Sequence, residues 1–194
     1  VDASAHFLDP RAADAHHSTM ARGLLGSEIL KIAADVRALK ASGRDICNLT
    51  VGDFDPQQFP APPQLITDTE AALRAGHTNY PPSDGVLELR QAVVRYYERE
   101  LGLRYPVESV LIAGGARPIL YGSYGTVLDP GDLVVYPVPS WNNNHYVHLF
   151  AARSVQVPVS REHGFHPTAE DVRPHLRDAR LLVVNSPQNP TGTV

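Results

Sequence analysis

"RLLVVN" (residues 180–185) runs directly into "NSPQNPTG" (185–192), an apolar stretch of strand length followed by a loop that two prolines stiffen and Gly192 closes. The same pairing recurs upstream. "LVVYP" (133–137) leads into "VPSWNN" (138–143), and "SVLIA" (109–113) leads into "GGARP" (114–118). "SVQVPV" (154–159) supplies a further strand-like run. Between these runs lie helix-length segments: one reaching Leu128 before the turn "DPGD" (129–132), "WNNNHYVHLFA" (141–151), and "PTAEDVRPHL" (167–176), which Pro167 and Thr168 open. Strand and helix alternate with no hairpin turn, the pattern of an α/β fold with a mainly parallel sheet covered by helices. The chain stops just after a strand, so the sheet is expected to be incomplete in it.

Further upstream the texture is helical. Apolar positions Ile29, Ile32, Ala33, Val36 and Leu39 recur at helical spacing, with Ser27 as a cap and Gly43 as a stop. "DICNLTVGDFDP" (45–56) rises briefly into a strand-like run and breaks at Gly52, Asp53 and Pro56. A second helix is predicted from Pro63 to Ala75, closed by Gly76, and Asp84 can cap a long third one that ends near Leu101. The change of texture puts a boundary near residue 77, with 1–76 as an N-terminal arm and small-domain segment and 77–194 as the first part of a large α/β domain. The polar stretch before Met20 reads as a flexible arm.

Composition narrows the function classes. Of 194 residues 43% are hydrophobic, as in an ordinary folded protein, and 17 basic against 21 acidic side chains leave a net charge of -4 with no basic stripe for nucleic acid. No window approaches a membrane span and the N-terminus lacks the apolar centre of a secretory signal, so a cytoplasmic protein is expected. Cys47 is the one cysteine, which excludes an internal disulfide. The nine histidines are scattered without paired ligand spacing, so no metal site is expected.

Chemistry is sought beyond the carboxyl ends of the strands, where open α/β sheets bind ligands. Gly114 and Gly115 can let helix-start N–H groups approach a phosphate, or they can form a tight turn with no ligand. The segment lacks the Lys and Ser/Thr of a P-loop and the spacing of a dinucleotide fingerprint. Trp141, the one tryptophan, can stack on a planar cofactor or pack as a core or interface anchor. Asn185 and Asn189 offer amides to a ligand or to their own loop.

These motifs, with "NLTVGDFDP" (48–56) and "TNYPPSDGVLELRQAV" (78–93) in the same order, resemble the fold-type I pyridoxal phosphate enzymes, class I/II aminotransferases, and within them the bacterial aspartate-aminotransferase-like group. The resemblance runs from about Ser27 to Val194 and implies pyridoxal 5'-phosphate as cofactor. It implies that Gly115, Ala116 and Arg117 bind the cofactor phosphate, that Trp141 stacks on the pyridine ring, and that Asn189 bonds to the ring hydroxyl. It also implies that Tyr80 reaches the cofactor of the neighbouring subunit in a homodimer, and that Gly52 lies near the substrate carboxylate. Arg117 has a second candidate role, on the distal carboxylate of aspartate or glutamate, though it can equally contact phosphate or solvent. Ser140 departs from the tyrosine that the group more often places before this tryptophan.

Such enzymes need a lysine that forms a Schiff base with the cofactor aldehyde. Lys31 and Lys40, the two lysines present against fifteen arginines, both fall in the first predicted helix. The Schiff-base lysine is therefore expected after Val194, no catalytic residue is assigned within the chain, and the chain alone is expected to be inactive. Transamination between an amino acid and a 2-oxo acid is the implied reaction. A β-lyase or decarboxylase on the same fold, or a non-catalytic homologue, are the alternatives.

Overall fold

The computed structural model describes residues 17–24, 28–49, 52 and 55–194. The expected arm before residue 17, the Ser27 cap and most of "TVGDF" (50–54) lie outside the described residues. What is described divides into two compact units, one formed by residues 17–24 with Gly115–Val194 and the other by the described residues from 28 to Gly114.

The first unit is the α/β one. It holds α1 (Thr19–Gly23), α5 (Ala116–Val127), β1 (Leu133–Val138), α6 (Asn143–Leu149), β2 (Arg153–Pro158), α7 (Ala169–Leu176) and β3 (Ala179–Leu182). The strands form one parallel sheet in the order β2-β1-β3. Leu133 pairs with Arg153 and Val138 with Pro158 on one side, while a register shift between Leu133 and Val134 marks the other. A central parallel strand is buried on both faces and is expected to be uniformly apolar. Residues 134–137 of β1 are indeed all buried. Val134 and Tyr136 pack with Tyr124 and Leu128 from the α5 side and with Tyr146 and Val147 of α6. By the alternation of a strand, Val135 points to the opposite face, and it too is wholly buried. α7 contacts all three strands.

Local chemistry sets the ends of these elements. Thr168 Oγ1 accepts from the Asp171 N–H at 3.2 Å while the Thr168 N–H donates to the Asp171 carboxylate at 2.8 Å, a capping box at the start of α7. The bond from the Thr168 N–H, and after it one that the Thr168 hydroxyl donates to Asp171 Oδ2 at 2.8 Å, hold the Asp171 carboxyl below its ordinary pKa. In "DPGD", Gly131 takes a φ of 90° and the Asp132 N–H closes the turn on the Asp129 carbonyl at 3.1 Å.

The second unit is helical: α2 (Glu28–Ala41), α3 (Pro63–Arg74), α4 (Leu87–Leu101) and a 3-10 turn at Val107–Ser109. α2 and α3 end at the predicted glycines, Gly43 and Gly76, both with a φ of 82°. Two expectations fail here. The described start of the run at 45–56, residues 45–49, and the run at 109–113 are not strands, since neither finds a backbone partner for a ladder among the described residues. Nor does Asp84 cap α4, whose N-cap is Val86. The Asp84 carboxylate pairs instead with Arg90, which is 8% exposed and donates to the Val110 carbonyl at 2.9 Å and the Val107 carbonyl at 2.8 Å. The Asp84 carbonyl in turn accepts from the Ile112 N–H at 3.0 Å. These bonds lay residues 107–112 along the start of α4. Gly85, with a φ of 100°, allows the approach, because a β-carbon there would stand 2.6 Å from Ile112 Cβ.

Candidate active site

All three site segments of the α/β unit follow from what succeeds a strand or opens a helix. Gly115 is the N-cap of α5 with a φ of 112°, a conformation costly for a side-chain-bearing residue. A β-carbon added there would meet nothing within 4 Å. Among the described residues the first N–H groups of α5, those of Ala116 and Arg117, have no acceptor and are available to an anion.

After β1, Asn142 takes a left-handed φ of 53° and starts α6. After β3, the loop is built around Gln188, which is 3% exposed. Its backbone N–H donates to the Thr193 carbonyl at 2.8 Å, its carbonyl accepts from the Gly192 N–H at 2.6 Å, and its side-chain oxygen accepts from the Thr191 hydroxyl. Its side-chain nitrogen donates to the Pro139 carbonyl at 2.8 Å, joining this loop to the one after β1. Sequence reasoning credits the prolines with shaping the loop. The structure shows Gln188 fastening it.

The segments meet at a cavity of about 280 Å³. Ala116 and Leu120 of α5 line it, together with Ser140, Trp141 and Asn143 from beyond β1 and Asn185 and Asn189 from beyond β3. Neither the Asn185 nor the Asn189 side-chain amide has a protein hydrogen-bond partner among the described residues. Arg117 does not line this cavity. Its guanidinium lies 5.0 Å from the centroid of the Trp141 ring, within cation–π range. Arg117 lines an adjoining cavity of about 350 Å³ with Tyr121, Asn142 and His145.

A polar chain that sequence reasoning missed runs beneath the site. The Tyr124 hydroxyl lies 3.0 Å from Asn143 Oδ1, and Asn143 Nδ2 donates to Ser140 Oγ at 3.3 Å. Burial, reinforced by the neighbouring Tyr136 and Tyr146, pushes the Tyr124 phenol well above its ordinary pKa. The Tyr136 hydroxyl is buried with no hydrogen-bond partner among the described residues.

Gly115, Ala116, Arg117, Trp141 and Asn189 thus come together in one unit. Gly52 and Tyr80 belong to the helical unit, where Gly52 is exposed with no atom within 4 Å of an added β-carbon, and Tyr80 is wholly exposed at 101%. Among the described residues no cluster of His, Cys, Asp and Glu is suited to hold a metal ion.

Residues 44–194 match the family of class I and II aminotransferases. The chain belongs to that family. This chain is 34% identical over 168 residues to an aspartate aminotransferase of Rhizobium meliloti, covering 86% of this chain and 40% of that protein. It is 37% identical over 167 residues to a probable aspartate/prephenate aminotransferase of Thermus aquaticus, covering 84% and 43%. Among solved structures, the aspartate aminotransferase of Thermus thermophilus with maleate superposes with a TM-score of 0.82 at 32% identity, over 90% of this chain and 45% of that one. The chain therefore spans less than half the length of these relatives. Its α/β fold is that of the fold-type I aminotransferases, a family dependent on pyridoxal 5'-phosphate.

Proposed function

We propose that the whole protein is an aminotransferase that moves an amino group between an amino acid, aspartate or glutamate by preference, and a 2-oxo acid. The observation that carries this is one cavity beyond the strand ends, lined by the start of α5, the Trp141 indole and two amides that have no hydrogen-bond partner among the described residues. That donor set fits pyridoxal 5'-phosphate: an anion site for the phosphate, a flat apolar face for the ring, and an amide for the ring hydroxyl oxygen. When bound, the cofactor supplies an electron sink for the carbanion left when a substrate loses its α-proton.

In this reading the backbone at Gly115, Ala116 and Arg117 binds the phosphate and Trp141 sets the plane of the ring. The Asn189 amide donates to the ring hydroxyl, and the buried anchor Gln188 keeps that amide in place. Arg117, resting on Trp141, is positioned by that contact, and a guanidinium is suited to a substrate's distal carboxylate. The maleate in the Thermus thermophilus relative, a four-carbon dicarboxylate, supports acidic substrates. Gly52 near the substrate carboxylate, and a homodimer in which Tyr80 reaches the partner's cofactor, belong to the same reading. So does the assignment of 77–194 to the cofactor-binding domain, 1–76 being arm and small-domain segment. The lysine that holds the cofactor and moves the α-proton lies, on this proposal, in the part of the relatives' length that this chain does not span. Lys31 and Lys40 both lie on α2. A cytoplasmic location accords with the reading, and no described helix is long and apolar enough to cross a membrane.

Incubation of the whole protein with aspartate and 2-oxoglutarate tests the proposal. Glutamate and oxaloacetate are expected in equal amounts. Ammonia or carbon dioxide in their place assigns a lyase or decarboxylase, and no product supports the non-catalytic homologue. Arg117→Ala is expected to lower the rate with aspartate relative to alanine, and an unchanged ratio removes Arg117 from substrate selection.

A further inference from the structure

Ser140 lines the same cavity as Trp141 and Asn143, and its hydrogen-bonding is only half used. The chain that reaches it has a fixed direction. The Tyr124 side chain is 2% exposed, and its raised pKa keeps the phenol protonated at neutral pH, so it donates to Asn143 Oδ1. An Asn amide whose oxygen accepts must present its nitrogen elsewhere, and here Nδ2 donates to Ser140 Oγ. A hydroxyl whose oxygen is already accepting is left with its own proton to donate. Among the described residues that proton has no acceptor, and the side chain borders the cavity.

We infer that Ser140 is a ligand-binding residue whose hydroxyl donates to an oxygen of the molecule held against Trp141, and that Tyr124 and Asn143 are positioning residues that aim it. The inference rests on the reading above and adds to it a donor that the more usual tyrosine at this position would present from farther along its ring. Two oxygens share the required chemistry, one on the cofactor and one on the substrate's carboxylates. Two binding measurements separate them: the Kd of the apoprotein for pyridoxal 5'-phosphate by equilibrium dialysis, and the Kd of the cofactor-loaded protein for maleate by calorimetry.

Ser140→Ala in the whole protein is expected to raise one of these constants roughly five- to tenfold, the effect of losing one hydrogen bond to a charged or phenolic oxygen. The constant that moves names the source of the oxygen. Ser140→Thr, which keeps the hydroxyl, is expected to retain wild-type binding. Tyr124→Phe is expected to weaken the same constant, and to have no further effect once Ser140 is alanine; a purely structural Tyr124 would weaken binding whatever stood at 140. If Ser140→Ala leaves both constants unchanged while the wild type binds the cofactor, the inference is overturned and the functional reading stands. Wild-type protein that takes up no pyridoxal 5'-phosphate overturns both.

Discussion

The α/β unit and the helical unit bury their interiors by opposite means. In the first, Val134 and Val135 are fully buried and Tyr136 nearly so, and the sheet hides apolar surface on both faces. In the second, the buried positions among the described residues are Gly85 and Arg90, while Leu65, Ile66 and Leu73 of α3 stay largely exposed. One unit is held by many interchangeable apolar contacts, and the other by one guanidinium with three partners. A distributed core loses a little with each change, whereas a hub fails at a single residue.

Four substitutions press on that contrast. Val135→Asp places a carboxylate where no water reaches, and is expected to cost on the order of 4 kcal/mol or more, unfolding the sheet in urea at far lower concentration. Arg90→Met keeps the bulk but strands two carbonyls, for about 2 kcal/mol, since the half-exposed Asp84 can turn to water. Hydrogen exchange should then accelerate at the Ile112 amide with β1 unaffected; acceleration in both would mean the units do not fail separately. Gly125→Ala brings a β-carbon to 2.8 Å from the Phe150 ring, which can shift, so about 1 kcal/mol is expected in thermal melts. The smallest effect is Asp171→Asn. A folded pKa held below the ordinary value contributes stability that is present above the usual carboxylate range and lost as pH falls through the folded value. The melting-temperature gap between wild type and variant should therefore be widest near neutrality and close below about pH 4.

What the sequence makes legible depends on how far its signals must reach. The helix starting at Ala169 is readable because Thr168 and Asp171 are three residues apart and form a box by themselves. β1 is readable because its apolar run is short, starts right after the turn "DPGD" and is rich in β-branched residues. The run at 109–113 is similarly apolar but needs a neighbouring strand to become one, and composition says nothing about a neighbour. Asp84 stands where a cap belongs, yet Arg90 six residues on holds its carboxylate. Within the site, Gly115, Trp141 and Asn189 are visible as breaks in pattern after apolar runs. Gln188 is not, since its partner Pro139 is 49 residues away, and neither is Tyr124, which is 19 residues from Asn143. Local codes can be read from a string, but these bonds exist only once the sheet has brought the loops together.

The bond from Gln188 to the Pro139 carbonyl carries a lesson for anyone recombining chains of this family. The loops after β1 and after β3 are separate cassettes in the gene but a single part in the molecule. A chimera that imports a loop after β3 without glutamine at position 188 would lose this buried joint, because the donor is a side chain and the acceptor a backbone carbonyl. Any exchange of residues 185–193 has to carry that glutamine with it.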